Sequence, residues 1–147
     1  MPTNPWFALT AVSLTLLAAS CQPASPPAQA HVAELAPSQY RPIVLAALGA
    51  SRQFDDTSGT GVIPPSLWQD AITELKPLRV REEIDPDTHV FIVLRDDAEA
   101  EEGLLVYHSD STPAPQAQGM ELHLLYTDPD QAGSLYRYRV DRTAPLN

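Results

Sequence analysis

Four imidazoles, one thiol and two acidic clusters are the side chains in this sequence whose types could do chemistry. His89, His108 and His123 form no His-x-His or His-Glu-x-x-His spacing, the patterns that put two metal ligands on one face of a strand or helix. Two of them can still meet across a sheet. With nearby carboxylates they would then make a small hydrolase or metal-dependent site. His31 stands apart in a Pro- and Ala-rich stretch. Asp96, Asp97, Glu99, Glu101 and Glu102 crowd one short segment that would attract calcium or a basic partner, or simply form a solvated hairpin turn. Asp128, Asp130 and Gly133 begin like a calcium loop. Its fifth position would be Ala132 and its twelfth Arg139, where an EF-hand needs an oxygen donor and a bidentate Glu, so the segment is expected to be a plain turn. No serine lies in a Gly-x-Ser-x-Gly context, no glycine-rich phosphate loop is present, and Cys21 has no neighbouring base. The residues thus predict no catalytic, metal or cofactor site.

Recognition chemistry is the alternative. Tyr136, Arg137, Tyr138 and Arg139 alternate aromatic and basic on one strand-like segment, and Trp68 sits on a short helical one. Tyr, Trp and Arg are the types enriched where proteins bind proteins. These five residues are the candidate interaction surface. The same alternation also fits tyrosines in a core with arginines outside, pairing with the acidic excess.

The elements that must position these groups follow from periodicity. Tyr40, Ile43, Val44, Ala47 and Leu48 repeat at helical spacing, with Ser38 as cap, Pro42 in the first turn and Gly49 as stop. Residues 51–65 read as a loop. A second helix is expected from Ser66 as cap through Leu67, Trp68, Ala71, Ile72 and Leu75 to Lys76, ended by Pro77. Strand-like segments follow at residues 78–84, 89–95, 104–108, 120–126 and 134–140. The first places Glu82 on its apolar side, which predicts an edge position or a bulge. The second, with Val90 to Leu94 all apolar, is expected to lie centrally. Two short N-terminal helices packed on a four- to five-stranded antiparallel meander sheet make an α+β fold, because no strand–helix–strand alternation supports a parallel sheet.

The chain has 147 residues, enough for one domain, and its hydrophobic fraction of 44% is that of a globular chain. Nineteen acids against nine bases give a net charge of −10, which argues against nucleic acid as a partner. Charge is absent from the first thirty residues, and every Lys, Arg, Asp and Glu lies at or beyond Glu34. Residues 6–19 form an apolar run that as a helix would span roughly 21 Å, short for a bilayer span and suited to the centre of a signal peptide.

Leu16, Leu17, Ala18, Ala19, Ser20 and Cys21 resemble the lipobox of bacterial lipoproteins. The resemblance implies that a diacylglyceryl group is attached to the Cys21 thiol and that a peptidase cuts between Ser20 and Cys21. It also implies periplasmic exposure, and Gln22 after the cysteine is compatible with outer-membrane delivery. Two other readings of the residues stay open: a buried helix with an ordinary core cysteine, and cleavage after Ala28-Gln29-Ala30. The organisation expected is a signal peptide over residues 1–20, a tether over 21–37 and a single domain over 38–147. The tether of about 16 residues could hold the domain some 50 Å from a membrane. The function expected is a lipid-anchored envelope protein, non-catalytic, whose domain binds or supports another envelope protein. The rival is the small periplasmic enzyme built on His89, His108 and His123.

Overall fold

The apolar stripe Ile43, Val44, Ala47 and Leu48 is the buried side of one main helix, α1 (Pro37–Gln53), in the computed structural model, which describes residues 34–54, 60–84, 87–108, 119–130 and 133–143. Cys21, its flanking residues Ala18, Ala19 and Ser20, and His31 lie outside the described residues. Ser38 is not the cap. Ala36 holds that position, and the Gln39 side-chain oxygen accepts the Ala36 N–H at 2.8 Å. Nor does Gly49 stop the helix. Ala50 and Ser51 beyond it are buried, and that packing outweighs the roughly 1 kcal/mol by which glycine disfavours a helix interior.

Ahead of the sheet strands expected from the sequence lies a further one, β1 (Thr60–Ile63), inside the segment expected to be loop. The second helix is also less than the periodicity suggested. Residues 65–67 make a single 3₁₀ turn, and α2 (Asp70–Thr73) is four residues long. Between them Trp68 adopts an extended backbone, and its indole N–H donates to the Ile63 carbonyl at 3.0 Å. That bond ties the tryptophan to β1 and breaks a continuous helix. Lys76 then leaves the short helix at a positive φ of 51°, directly before Pro77.

Five more strands complete the sheet: β2 (Arg79–Ile84), β3 (Thr88–Asp96), β4 (Ala100–Tyr107), β5 (Met120–Thr127) and β6 (Ser134–Asp141). All six pair antiparallel in the order β1-β2-β3-β4-β6-β5. The fold is α+β, as the sequence predicts, but the sheet is a meander only as far as β4. β6 then takes the place beside β4 and leaves β5 at the edge. The burial of the two strands follows their positions. β6 buries Leu135, Tyr136 and Tyr138, whereas β5 exposes Glu121, His123 and Leu124.

The sheet has two buried faces of different character. α1 covers the first, where Ile63, Val80, Val90, Ile92, Leu94, Leu104, Val106 and Leu135 meet the helix stripe. On the second, Phe91, Leu105, Tyr107, Met120, Tyr136 and Tyr138 form a separate aromatic cluster. β3 contributes to both, which accounts for its unbroken apolar run. Glu82 lies on the helix face of an interior strand, so neither an edge nor a bulge explains it. It is 5% exposed and accepts the Ser51 hydroxyl at 2.6 Å, a polar pair enclosed between α1 and β2. Among the described residues no helix is long and apolar enough to cross a membrane.

Candidate functional site

Arg79 and Arg81 alternate with Val80 along β2, so the pleat aims both guanidiniums at the face opposite α1. On that face Arg81, Phe91, Leu105 and Tyr136 line up in one row through the strand register. The Arg81 guanidinium sits 3.9 Å from the centroid of the Phe91 ring, and Phe91 meets Tyr138 edge to face at 5.2 Å. Both contacts are favourable placements of charge and ring edge against a π face.

Glu101 is the hub of this face. It is 7% exposed. It accepts hydrogen bonds from the Tyr138 hydroxyl at 2.9 Å, from Arg81 at 3.2 Å and from Arg79 at 2.5 Å. Arg79 also donates to Asp96 at 2.6 Å, and Arg142 pairs with the other Asp96 oxygen at 2.5 Å. Glu83 pairs with Arg81. Three guanidiniums and three carboxylates thus form one lattice. The Arg79 hydrogen bond holds the Asp96 carboxyl below the usual carboxylate range. Burial, and then the Glu101 charge, push the Tyr138 hydroxyl well above its ordinary value, so it remains a donor. Three donors thus take up most of the acceptor positions of the Glu101 carboxylate, two on one oxygen and one on the other. The arrangement fixes charges in space. Above the lattice opens a cleft of about 240 Å³ lined by Arg81, Glu83, Phe91, Glu101, Met120, Val140 and Arg142.

A second concavity lies on the far side of the molecule. Arg41, Pro42, Leu45 and Ala46 of α1 face Gln69, Asp70 and Ala71 across a groove of about 650 Å³. Leu45, there, is 47% exposed.

The three imidazoles are not brought together. His89 is buried on the outer face with its ring 4.4 Å from that of Tyr107. His123 is exposed on the edge strand opposite Arg137, on the other face of the sheet. His108 is exposed beyond the end of β4. Among the described residues no group of three His, Cys, Asp or Glu side chains stands close enough to share a metal ion. Of the candidate interaction residues, Tyr138 and Tyr136 are buried in the aromatic cluster, Arg137 and Arg139 are exposed, and Trp68 is half-buried against the helix-side core. Arg139 pairs with Glu102.

Both acidic segments turn out to be answered from within the chain. Only Asp97, Ala98 and Glu99 form the turn between β3 and β4; Asp96, Glu101 and Glu102 lie in the strands and hold arginines. At the turn between β5 and β6, Asp128 is 1% exposed and accepts the Asp130 N–H at 2.7 Å. Arg41 reaches across from α1 to both carboxylates, at 3.2 Å from Asp128. The cation of that turn is a guanidinium, 87 residues away in sequence. Sequence reasoning missed Arg79, Arg81, Asp96, Glu101 and Arg142 as a group. The signal available was the placement of Arg79 and Arg81 on one side of β2, but the register that brings Glu101 to them was not legible.

The β3–β4 turn yields a pH prediction. Asp97 is lowered from 3.8 to about 2, first by the Ala100 N–H, then by the Glu99 N–H and the Arg95 guanidinium. A folded value below the unfolded one means that this support is complete above 3.8 and is lost as pH falls through about 2. In an NMR pH titration the Glu99 and Ala100 amides are expected to shift with a midpoint near 2. A midpoint at the ordinary 3.8 contradicts the turn geometry.

No family model, curated protein or solved structure matches this chain.

Proposed function

We propose that this chain is a lipid-anchored protein of the bacterial envelope, held by Cys21 at the outer membrane and facing the periplasm, whose domain is a non-catalytic module that binds another envelope protein. The anchor is supported by the apolar run and the Ala18-Ala19-Ser20-Cys21 sequence, and the Pro-rich segment after it gives the domain reach. The observation that carries the binding role is the outer face of the sheet. Its carboxylates and guanidiniums are committed to one another around a cleft of mixed charged and apolar lining, which makes a fixed pattern of charge for a partner to match. Six of the nine cationic side chains, Arg41, Arg79, Arg81, Arg95, Arg139 and Arg142, are in ion pairs. The net charge offered to a partner is negative.

Replacing Cys21 with serine tests the anchor. The variant is expected to keep its uncleaved leader and to lose the lipid, so that it migrates as a larger species than the mature protein and leaves the outer-membrane fraction. Unchanged size and unchanged sedimentation with outer membranes would sink the proposal.

A further inference from the structure

We infer that the outer-face cleft takes one aromatic side chain of the partner protein, a tryptophan or a tyrosine, and is the anchor point of the binding surface; this rests on the reading of the chain as a binding module. Size sets the class of occupant. At about 240 Å³ the cleft falls below the roughly 300–1,000 Å³ of sites that enclose metabolites and cofactors, and it has room for a single side chain.

The lining chooses among side chains. A floor of Phe91, Met120 and Val140 accepts any apolar group, but Arg81 discriminates. A guanidinium is a plane with two faces, and Phe91 occupies one of them at 3.9 Å. Glu83 and Glu101 hold that plane in place, and 21% of the Arg81 side chain remains exposed. A second ring can therefore stack on a cation already oriented for it, without the entropy loss of ordering a mobile arginine. Met120 offers a thioether, which also favours a ring edge. Charge is complementary around such an occupant. Its electron-rich face meets the guanidinium, and its electron-poor N–H or O–H edge meets the Glu83 carboxylate, which is 30% exposed. The groove between α1 and α2 also holds a paired guanidinium, that of Arg41, but has neither an aromatic ring nor a sulfur in its lining.

The test uses the full chain in detergent micelles, labelled with ¹⁵N, and two probes, N-acetyl-tryptophanamide and N-acetyl-leucinamide. Saturable shifts at millimolar tryptophanamide are expected at the amides of Arg81, Phe91, Met120 and Val140, with leucinamide binding about fivefold more weakly. Val140→Glu should abolish the response while the remaining cross-peaks stay in place. Arg81→Met, which keeps an apolar stem, should remove the preference for the ring over the leucine. No shifts in the cleft, equal response to both probes, or shifts centred on Leu45 and Gln69 would each overturn the inference. The outcome is separable from the anchoring proposal. An empty cleft on a lipid-bearing chain removes the aromatic anchor alone, whereas a ring-binding cleft on a chain with no lipid removes the envelope anchoring alone.

Discussion

Replacing Glu101 with alanine is expected to destabilise the domain by about 3 kcal/mol, because it removes the shared acceptor of a half-enclosed charge lattice. Three donors lose a partner at once. Tyr138 is 0% exposed, and its hydroxyl would be left without its acceptor, a loss of roughly 1–3 kcal/mol by itself. The arginines lose less. Arg79 retains Asp96, and Arg81 retains Glu83 and the Phe91 ring. Tyr138→Phe removes one donor and leaves Glu101 with both guanidiniums, so about 1 kcal/mol is expected. Glu101→Gln keeps an acceptor and loses the charge, and falls between the two. Urea unfolding of the three variants gives the order directly. Glu101→Ala within about 0.5 kcal/mol of the parent, the range of an ordinary surface change, would mean that the lattice does not hold the outer face together.

Gly103→Ala is expected to be at least as damaging, above about 4 kcal/mol, for a purely steric reason. A Cβ at this position would stand 2.0 Å from the Ile92 carbonyl oxygen and 3.1 Å from a ring carbon of Tyr138. The first obstacle is backbone and cannot swing aside. Gly103 pairs with Val93 on one side and with Tyr138 on the other, next to the irregularity between Val93 and Arg95. The strand approaches its neighbour so closely there that only a hydrogen fits. A methyl group must part β3 from β4 in the middle of the sheet. Total stabilities are roughly 5–15 kcal/mol, so the variant is expected to be largely unfolded at moderate temperature, with its near-ultraviolet tyrosine signal lost. A variant with parental melting and an intact tyrosine signal would show that β3 and β4 do not approach as described.

How much of this was legible in the sequence depended on how local each cause was. The α1 stripe at Ile43, Val44, Ala47 and Leu48, and the alternation of Tyr136, Tyr138 and Val140 against Arg137 and Arg139, are local patterns, and they are present as read. Failures came where a distant group decided the local outcome. The expected helix after Ser66 is interrupted where the Trp68 indole reaches β1. The loop before it contains β1 itself, four residues too short to show a period. Glu82 reads as an edge position or a bulge because its partner, Ser51, is supplied by a helix 31 residues earlier. The exchange of β5 and β6 is a matter of which strand pairs with β4, which no single segment displays. Likewise the acidic run from Asp96 to Glu102 reads as a solvated tip until the register sets Arg79 and Arg81 opposite it. Composition could show that acids outnumber bases, but not which of them are held inside.

The claim on which the account turns is that a folded binding domain is tied to a membrane through the Cys21 thiol. The intact mass of the protein recovered from the membrane fraction tests it most directly. The expected mass is that of residues 21–147 plus a diacylglyceryl group, with any further acyl chain on the new amino terminus. The mass of a chain that still begins at Met1, or of one that begins at His31 with no lipid, would contradict it.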